Sequence, residues 1–301
     1  MAISRGQLVK ELEPGLNALF GLEYKRYENQ HAEIFDTENS DRAFEEEVML
    51  SGFANAQTKP EGSAVTFDNA QETFTSRYTH ETIALAFSIT EEAIEDNLYD
   101  RLASRYTKAL ARSMANTKQV KAANVLNNAF DSNFAGGDGK ELLATDHPTI
   151  AGTFSNELAT SADLNETSLE QSLIDIGQMT DERGLRIAAR GVKMIIPSEL
   201  QFTAERLMKS QGRTGTADND INAIVSMGMI PQGYRVNNYL TDTDAFYILT
   251  DVPNGMKMFS RAPLTTAMEG DFDTGNVRYK ARERYSFGVS DPRGIFGVEG
   301  V

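Results

Sequence analysis

The chain has 301 residues, long enough for one large or two medium globular domains with a substantial core, and its 40% hydrophobic and 24% charged residues are ordinary globular values, while its formal net charge is −15. It has no cysteine, which excludes disulfides and thiolate metal sites, and its acidity argues against a protein whose main task is gripping phosphate backbone, though not against a container around nucleic acid. No apolar run reaches the ~18 residues of a membrane span and the N-terminus has no secretory pattern, so a soluble protein made in a reducing cytosol is expected.

Residues 1–50 read as a broken helical arm. Leu8, Leu12, Leu16, Leu19 and Phe20 are helically spaced, yet the Pro14-Gly15 pair interrupts them. A second segment, 42–50, sets Glu45, Glu46 and Glu47 beside Phe44 and Val48 and packs too weakly to stand alone, so it docks on something else. A KPEG turn at 59–62 then opens a β-rich stretch. Residues 64–68 are short and strand-like, and 73–89 are long, with alternation clearest at Ile83, Leu85, Phe87 and Ile89. A two-stranded ribbon of this length is poorly supported alone. It lies on its own domain or reaches across a neighbour.

From residue 63 to residue 135 there is neither glycine nor proline, and the second half of that interval predicts one helix from Thr90 to about Asp131, roughly 60 Å long. Thr90 is a good N-cap, Glu91 and Glu92 complement the dipole, and Ile89 and Ile94 occupy the positions of a hydrophobic staple. Its large side chains step by four through Ile94, Leu98, Leu102, Tyr106, Leu110 and Met114, then by three through Thr117, Val120, Ala123 and Leu126. Such a stripe drifts roughly 200° before walking back. The readings are a long core helix, or a spine touching different segments or subunits along its length.

Beyond the glycines at 136 and 137 the pattern becomes mixed α/β. Thr167 with Glu170 forms a capping box for a helix using Leu169, Leu173 and Ile176 and ending near Gly184. Residues 192–196 read as a buried strand, and Ser198 with Gln201 caps a helix carrying Leu200, Ala204, Leu207 and Met208. A polar loop at 210–220 and strands at 235–240 and 245–250 follow. In the closing NVRYKARERYSFGVS, Val277, Tyr279, Ala281, Tyr285, Phe287 and Val289 share one face, while Arg278, Lys280, Arg282 and Arg284 share the other. That row is either a solvated face or a contact with an acidic surface, such as Glu91, Glu92, Glu95 and Asp96 of another copy, or with enclosed DNA.

Tests for chemistry return nothing positive. Asp131, Asn133 and Gly136 begin like a calcium loop, but Ala135 and Leu142 break the pattern. Phosphate loops, dinucleotide fingerprints and the hydrolase elbow are absent. His147 follows Asp146 in TDHP, which could orient an imidazole or make a local turn contact. No catalytic, metal or cofactor site is expected.

The order of parts carries a resemblance. An arm, a β-ribbon, FSITEEAIEDNLYD leading a very long helix, an α/β region and a closing SDPRGIFG together resemble the major capsid protein of tailed bacteriophages, the Hong Kong 97-type fold, and LLATDHPT is similar to the corresponding region of Mu-like phage head subunits. The resemblance spans essentially the whole chain. It implies an α+β capsid fold with an N-terminal arm at 1–54, an extended loop at 55–89, a peripheral domain with the spine helix at 90–144, an axial domain at 145–255 and returning peripheral strands at 256–301.

It also implies a structural protein without turnover or cofactor, whose many copies form pentamers and hexamers of an icosahedral shell around packaged double-stranded DNA, contacted non-specifically. The implied place is the virion capsid, assembled in the bacterial host cytoplasm without a membrane. Portal and separate scaffold proteins are implied partners, with a decoration protein as a further candidate; because there is no room for the long N-terminal scaffolding segment of some members, either a separate scaffold protein or a chain already processed is expected. The interface candidates are Lys59, Phe67, Phe74 and Tyr78 on the extended loop, Glu91, Glu92, Glu95 and Asp96 at the spine's start, and Arg278, Lys280, Arg282 and Arg284. Lys59 is also the loop lysine that some members crosslink to a neighbour, but its Lys-Pro turn gives no physical reason for that reaction. Deleting 57–83 is expected to leave a folded core that cannot close shells. The alternatives are an encapsulin-type compartment and a soluble α/β hydrolase or binding domain.

Overall fold

The closing strand organises one half of the molecule. Tyr279, Ala281 and Tyr285 are buried while Arg278, Lys280 and Arg282 between them are exposed, as a strand with one covered face requires. The computed structural model describes residues 5–90, 92, 99–212, 220–271 and 275–301. In it β11 (Val277–Val289) lies between β10 (Met256–Gly270) and β4 (Glu81–Ile89), antiparallel to both, and β1 (Asp36–Asn39) joins the far edge of β10 in parallel. The sequence pattern did not announce β10, because Pro263 sits within it. The strand accommodates the proline at a bulge, with register shifts between Ser260 and Ala262 and between Ala262 and Thr265.

Two helices cover the apolar face of this sheet. α1 (Arg5–Arg26) runs through Pro14 as one helix, where a break was expected. Leu16 and Phe20 pack with Leu110, Ala111, Met114, Tyr279 and Ala281, and this tertiary burial outweighs the missing hydrogen bond at the proline. The spine, α2 (Tyr99–Asn127), buries Ala103, Thr107, Leu110, Ala111, Met114, Ala115, Gln119, Ala122, Ala123 and Leu126. Tyr106 and Val120 are exposed, at 50% and 37%. The buried stripe therefore runs straight, built largely on alanines, and the expected drift does not occur. Ile94, Leu98, Glu91, Glu95 and Asp96 lie outside the described residues; Glu92 is exposed.

The other half is a second four-stranded sheet in the order β12 (Ile295–Val298), β9 (Phe246–Thr250), β7 (Gly191–Ile196), β8 (Tyr234–Val236), with only the last pair parallel. α3 (Glu166–Gln178), α4 (Gln201–Lys209) and α5 (Ala223–Met227) contribute Leu169, Leu173, Ile176, Ala204, Leu207 and Ile224 to its core. The capping box of α3 uses Asn165 and Ser168, two residues before the expected pair, and α3 stops at Gln178, well short of Gly184. Ser198 opens a 3-10 turn and spends its hydroxyl on Glu199, so it caps nothing. Of the polar loop, 213–219 lie outside the described residues. β8 ends at Val236, so residues 237–240 are not strand.

The two-stranded ribbon differs from its sequence reading. Residues 42–50 are not a helical segment: β2 (Phe44–Leu50) pairs antiparallel with β3 (Glu72–Thr79), and 64–68 are exposed coil. The chain turns at His80, which separates β3 from β4. A small hairpin, β5 (His147–Thr149) with β6 (Gly152–Phe154), follows the spine. Among the described residues no helix is long and apolar enough to cross a membrane.

Candidate assembly surfaces

The ribbon is tied down at its root. Tyr78, buried, meets Phe259 edge-on with ring centroids 4.8 Å apart, and its hydroxyl lies 2.5 Å from the Ser290 hydroxyl. Gly288 passes beneath the Tyr78 ring so closely that an added Cβ would sit 2.7 Å from it. Lys257, 5% exposed, reaches Glu47 of β2 at 2.5 Å and Glu38 of β1 at 3.0 Å. Burial alone would lower the pKa of this ammonium, but the two carboxylates hold it above its ordinary value. His80 bridges the Ser40 and Ser286 hydroxyls at 2.9 Å each, and burial, then Arg284, keep its pKa low.

Beyond this root the ribbon has few partners in its own chain. Phe44, Val48 and Leu50 are exposed along one face of β2, and Arg77 lies 3.9 Å over the Phe44 ring. The loop from 52 to 70 is exposed throughout, with Phe67 at 94% and Val65 at 63%. Its return limb is tethered to the body by Arg183, which donates to the Asn69 carbonyl at 2.6 Å and approaches Asp68 at 3.9 Å, while Asp68 also accepts from the Ala54 amide at 2.7 Å. Of the expected loop residues, then, Lys59 and Phe67 are free on the surface, Phe74 is half-buried and Tyr78 is turned into its own subunit. The exposed Phe44, Val48 and Leu50 escaped sequence reasoning because the segment was read as helical.

The second surface is the uncovered face of the first sheet. Arg278, Lys280 and Arg282 stand exposed along β11, and Arg284 is half-buried. By register their neighbours are Ser88, Ala86, Ala84 and Thr82 on β4, and Glu269, Ala267, Thr265 and Ala262 on β10. These side chains are small apart from Glu269. Arg278 pairs with Asp271 at 2.5 Å; Lys280, Arg282 and Arg284 make no ion pair among the described residues. On the opposite, helix-covered face, Glu283 is buried with Lys118 at 3.3 Å and the Tyr24 hydroxyl at 3.4 Å. Burial pushes that carboxyl's pKa up, against the pull of Lys118 and Tyr24.

A cleft of about 520 Å³ lies between β3, the end of α2 and the turn at 134–142, with Asp138 and His147 at its wall. Among the described residues no group of three or more His, Asp or Glu is arranged to hold a metal. Asp131 is used to cap the 3-10 turn at Ser132–Phe134, accepting from the Asn133 amide at 2.9 Å.

Comparison with known proteins decides the family. Residues 72–298 match the family described as phage capsid protein. The chain belongs to that family. Among solved structures its fold is similar to the capsid of an empty GTA particle, at 13% identity and a TM-score of 0.57 over 91% of each chain. It is also similar to a virus-like particle from Pyrococcus furiosus, at 11% identity and a TM-score of 0.56 over 94% of this chain and 98% of that one. The capsid of Myoviridae phage XM1 aligns at 12% identity and a TM-score of 0.54 over 89% of each chain. At such identities these are likenesses of fold, and the fold is the Hong Kong 97-type capsid fold expected from the sequence. No curated protein matches the chain significantly. As a member of the phage capsid family the chain is a structural capsid protein, and the encapsulin-type alternative is not favoured.

Proposed function

We propose that the chain is the repeating subunit of a phage head, assembling through its ribbon and its cationic sheet face into pentamers and hexamers of an icosahedral shell that encloses double-stranded DNA. Its work is association without turnover. The observation that carries this reading is the ribbon: a segment rooted firmly at Tyr78 and Lys257 yet exposing Phe44, Val48, Leu50, Val65 and Phe67. Exposed large apolar side chains concentrated on one projection mark an association surface. Lys59, at the far end of the same loop, and the row from Arg278 to Arg284 supply its polar counterparts. The arm, loop, peripheral and axial divisions at 1–54, 55–89, 90–144, 145–255 and 256–301 belong to this reading. So do a portal, a separate scaffold protein and assembly in the bacterial cytoplasm.

The test is sedimentation of the purified protein, with negative-stain microscopy of the fast fraction, alone and with a scaffold protein added. Closed shells or ring-shaped capsomers are expected. A species that stays monomeric or dimeric under crowding, salt and added scaffold overturns the proposal.

A further inference from the structure

After the spine the chain folds back over residues 128–157, and this return is built around two buried side chains. Asn156 is fully buried and His147 is 1% exposed. The Asn156 amide has one allowed orientation. Its Oδ1 accepts from the Ala144 amide at 2.9 Å, and its Nδ2 donates to the carbonyls of Leu142 and Pro292 at 2.8 and 2.9 Å. Flipping it would set its NH2 against an N–H and its oxygen against two carbonyls. The His147 Nε2 lies 3.0 Å from that same Oδ1. An oxygen has no proton to give, so Nε2 carries one.

The other ring nitrogen, Nδ1, lies 2.6 Å from Oδ2 of Asp138, whose side chain is 5% exposed and whose Oδ1 accepts from the Lys140 amide at 3.2 Å. Both ring nitrogens therefore face acceptors. The partner is Asp138 rather than the adjacent Asp146, which is occupied by Lys140 at 2.6 Å. The charged groups packed around the ring suit a cation. Two further carboxyl groups, Glu157 and Asp291, lie within electrostatic reach of the ring, although burial makes both hold their protons more tightly than usual. Arg293, 4.2 Å over the Phe154 ring that stacks on His147, is itself neutralised by Glu182 at 2.6 Å and Asp291 at 3.2 Å.

We infer that His147 is a buried imidazolium, protonated on both ring nitrogens, and that its bond to Asp138 is a proton-dependent bolt closing the joint between the spine helix and the second sheet. The bolt joins three pieces. Asp138 belongs to the turn whose Gly137 lies so close to Thr75 of β3 that an added Cβ would sit 2.5 Å from the Thr75 carbonyl oxygen. His147 opens the β5–β6 hairpin, and Asn156 holds Pro292 beside β12. Without the shared proton, Nδ1 and Oδ2 would face each other as two lone pairs at 2.6 Å, and a buried acceptor pair of that kind is costly.

The chain has only three histidines, so a long-range nitrogen–proton NMR spectrum of the unassembled protein labelled with [15N]histidine shows three rings. At neutral pH one ring is expected to be protonated on both nitrogens. It should vanish in His147→Gln and persist in His80→Gln. In Asp138→Asn, whose amide can turn its NH2 toward Nδ1, the ring should keep the Nε2 proton and lose the Nδ1 proton, and the Ala144 amide should exchange with solvent about tenfold faster or more. A wild-type His147 ring with a bare Nδ1 overturns the assignment. Unchanged Ala144 exchange in Asp138→Asn overturns the bolt. Should either His147 or Asp138 variant fail to fold, the wild-type spectrum, assigned by elimination through His31 and His80 variants, still decides the protonation state.

Discussion

The Ser51 amide donates to the Gln71 carbonyl at 2.9 Å, and the Gln71 amide returns a bond to the Ser51 hydroxyl at 3.0 Å. These two residues close the neck of the extended loop, so everything between them is an excursion that leaves and re-enters the molecule at one point.

Excising that excursion is therefore the clean test of its role. Deleting 57–83, the cut suggested by the sequence, would remove Tyr78 and the first residues of β4, both part of the folded body. Replacing 53–70 by a short Gly-Ser turn spares them. The variant is expected to unfold within about 1 kcal/mol of wild type, since closing a shorter loop changes little, while forming no closed shells by sedimentation. Normal shells would remove the loop from the assembly mechanism.

Gly288→Ala should destabilise the subunit by about 1–3 kcal/mol, because the new methyl meets the Tyr78 ring at 2.7 Å and both strands must give way. The denaturant midpoint reads this directly. The double variant Gly288→Ala with Tyr78→Leu should recover part of the loss, a coupling that separate, additive effects would not show.

Charge reversal at Lys280 and Arg282, exposed and unpaired among the described residues, should lower assembly yield most at low ionic strength, since salt of about 0.1 M already screens charges beyond about 10 Å. Thermal stability of the isolated subunit should hardly move. Equal yields across the salt series would leave the row as a solvated face.

Glu157 gives a pH dependence with a definite sign. Burial, then Glu141 and Glu299, push its pKa up from 4.5 to about 7, with His147 pulling down. The folded state thus holds this proton more tightly than the unfolded chain. Its contribution to stability is fully present below pH 4.5 and is lost as pH rises through about 7. Between about pH 5 and about pH 8 the wild-type Tm should fall relative to that of Glu157→Gln. Parallel Tm curves for the two proteins would show that the carboxyl does not titrate in that window.

Much of this was legible in the chain. The straight alternation from Val277 to Val289, the long glycine-free helix and the order of parts pointed to the capsid fold. What stayed hidden has physical causes. In β2 the usual pattern is inverted: Glu47 points inward to Lys257 while Phe44, Val48 and Leu50 point out, so a half-buried strand masqueraded as an amphipathic segment. Pro14 and Pro263 read as breaks, but one is overridden by packing and the other is absorbed in a bulge. The burial of Tyr78 and the reach of Asp138 to His147 are long-range or cross-loop facts that no local pattern encodes. Whether Lys59 or the basic row touches a neighbour depends on copies of the chain meeting one another.

The outward face of β2 also bears on the life of a newly made subunit. Its outer edge has no strand beside it among the described residues, and apolar side chains stand along it, the combination that invites sheet-to-sheet aggregation. Under the assembly proposed above, the free subunit carries this hazard until a neighbouring copy covers the ribbon. On that proposal, overproduction of the subunit beyond what assembly consumes favours aggregation through this edge.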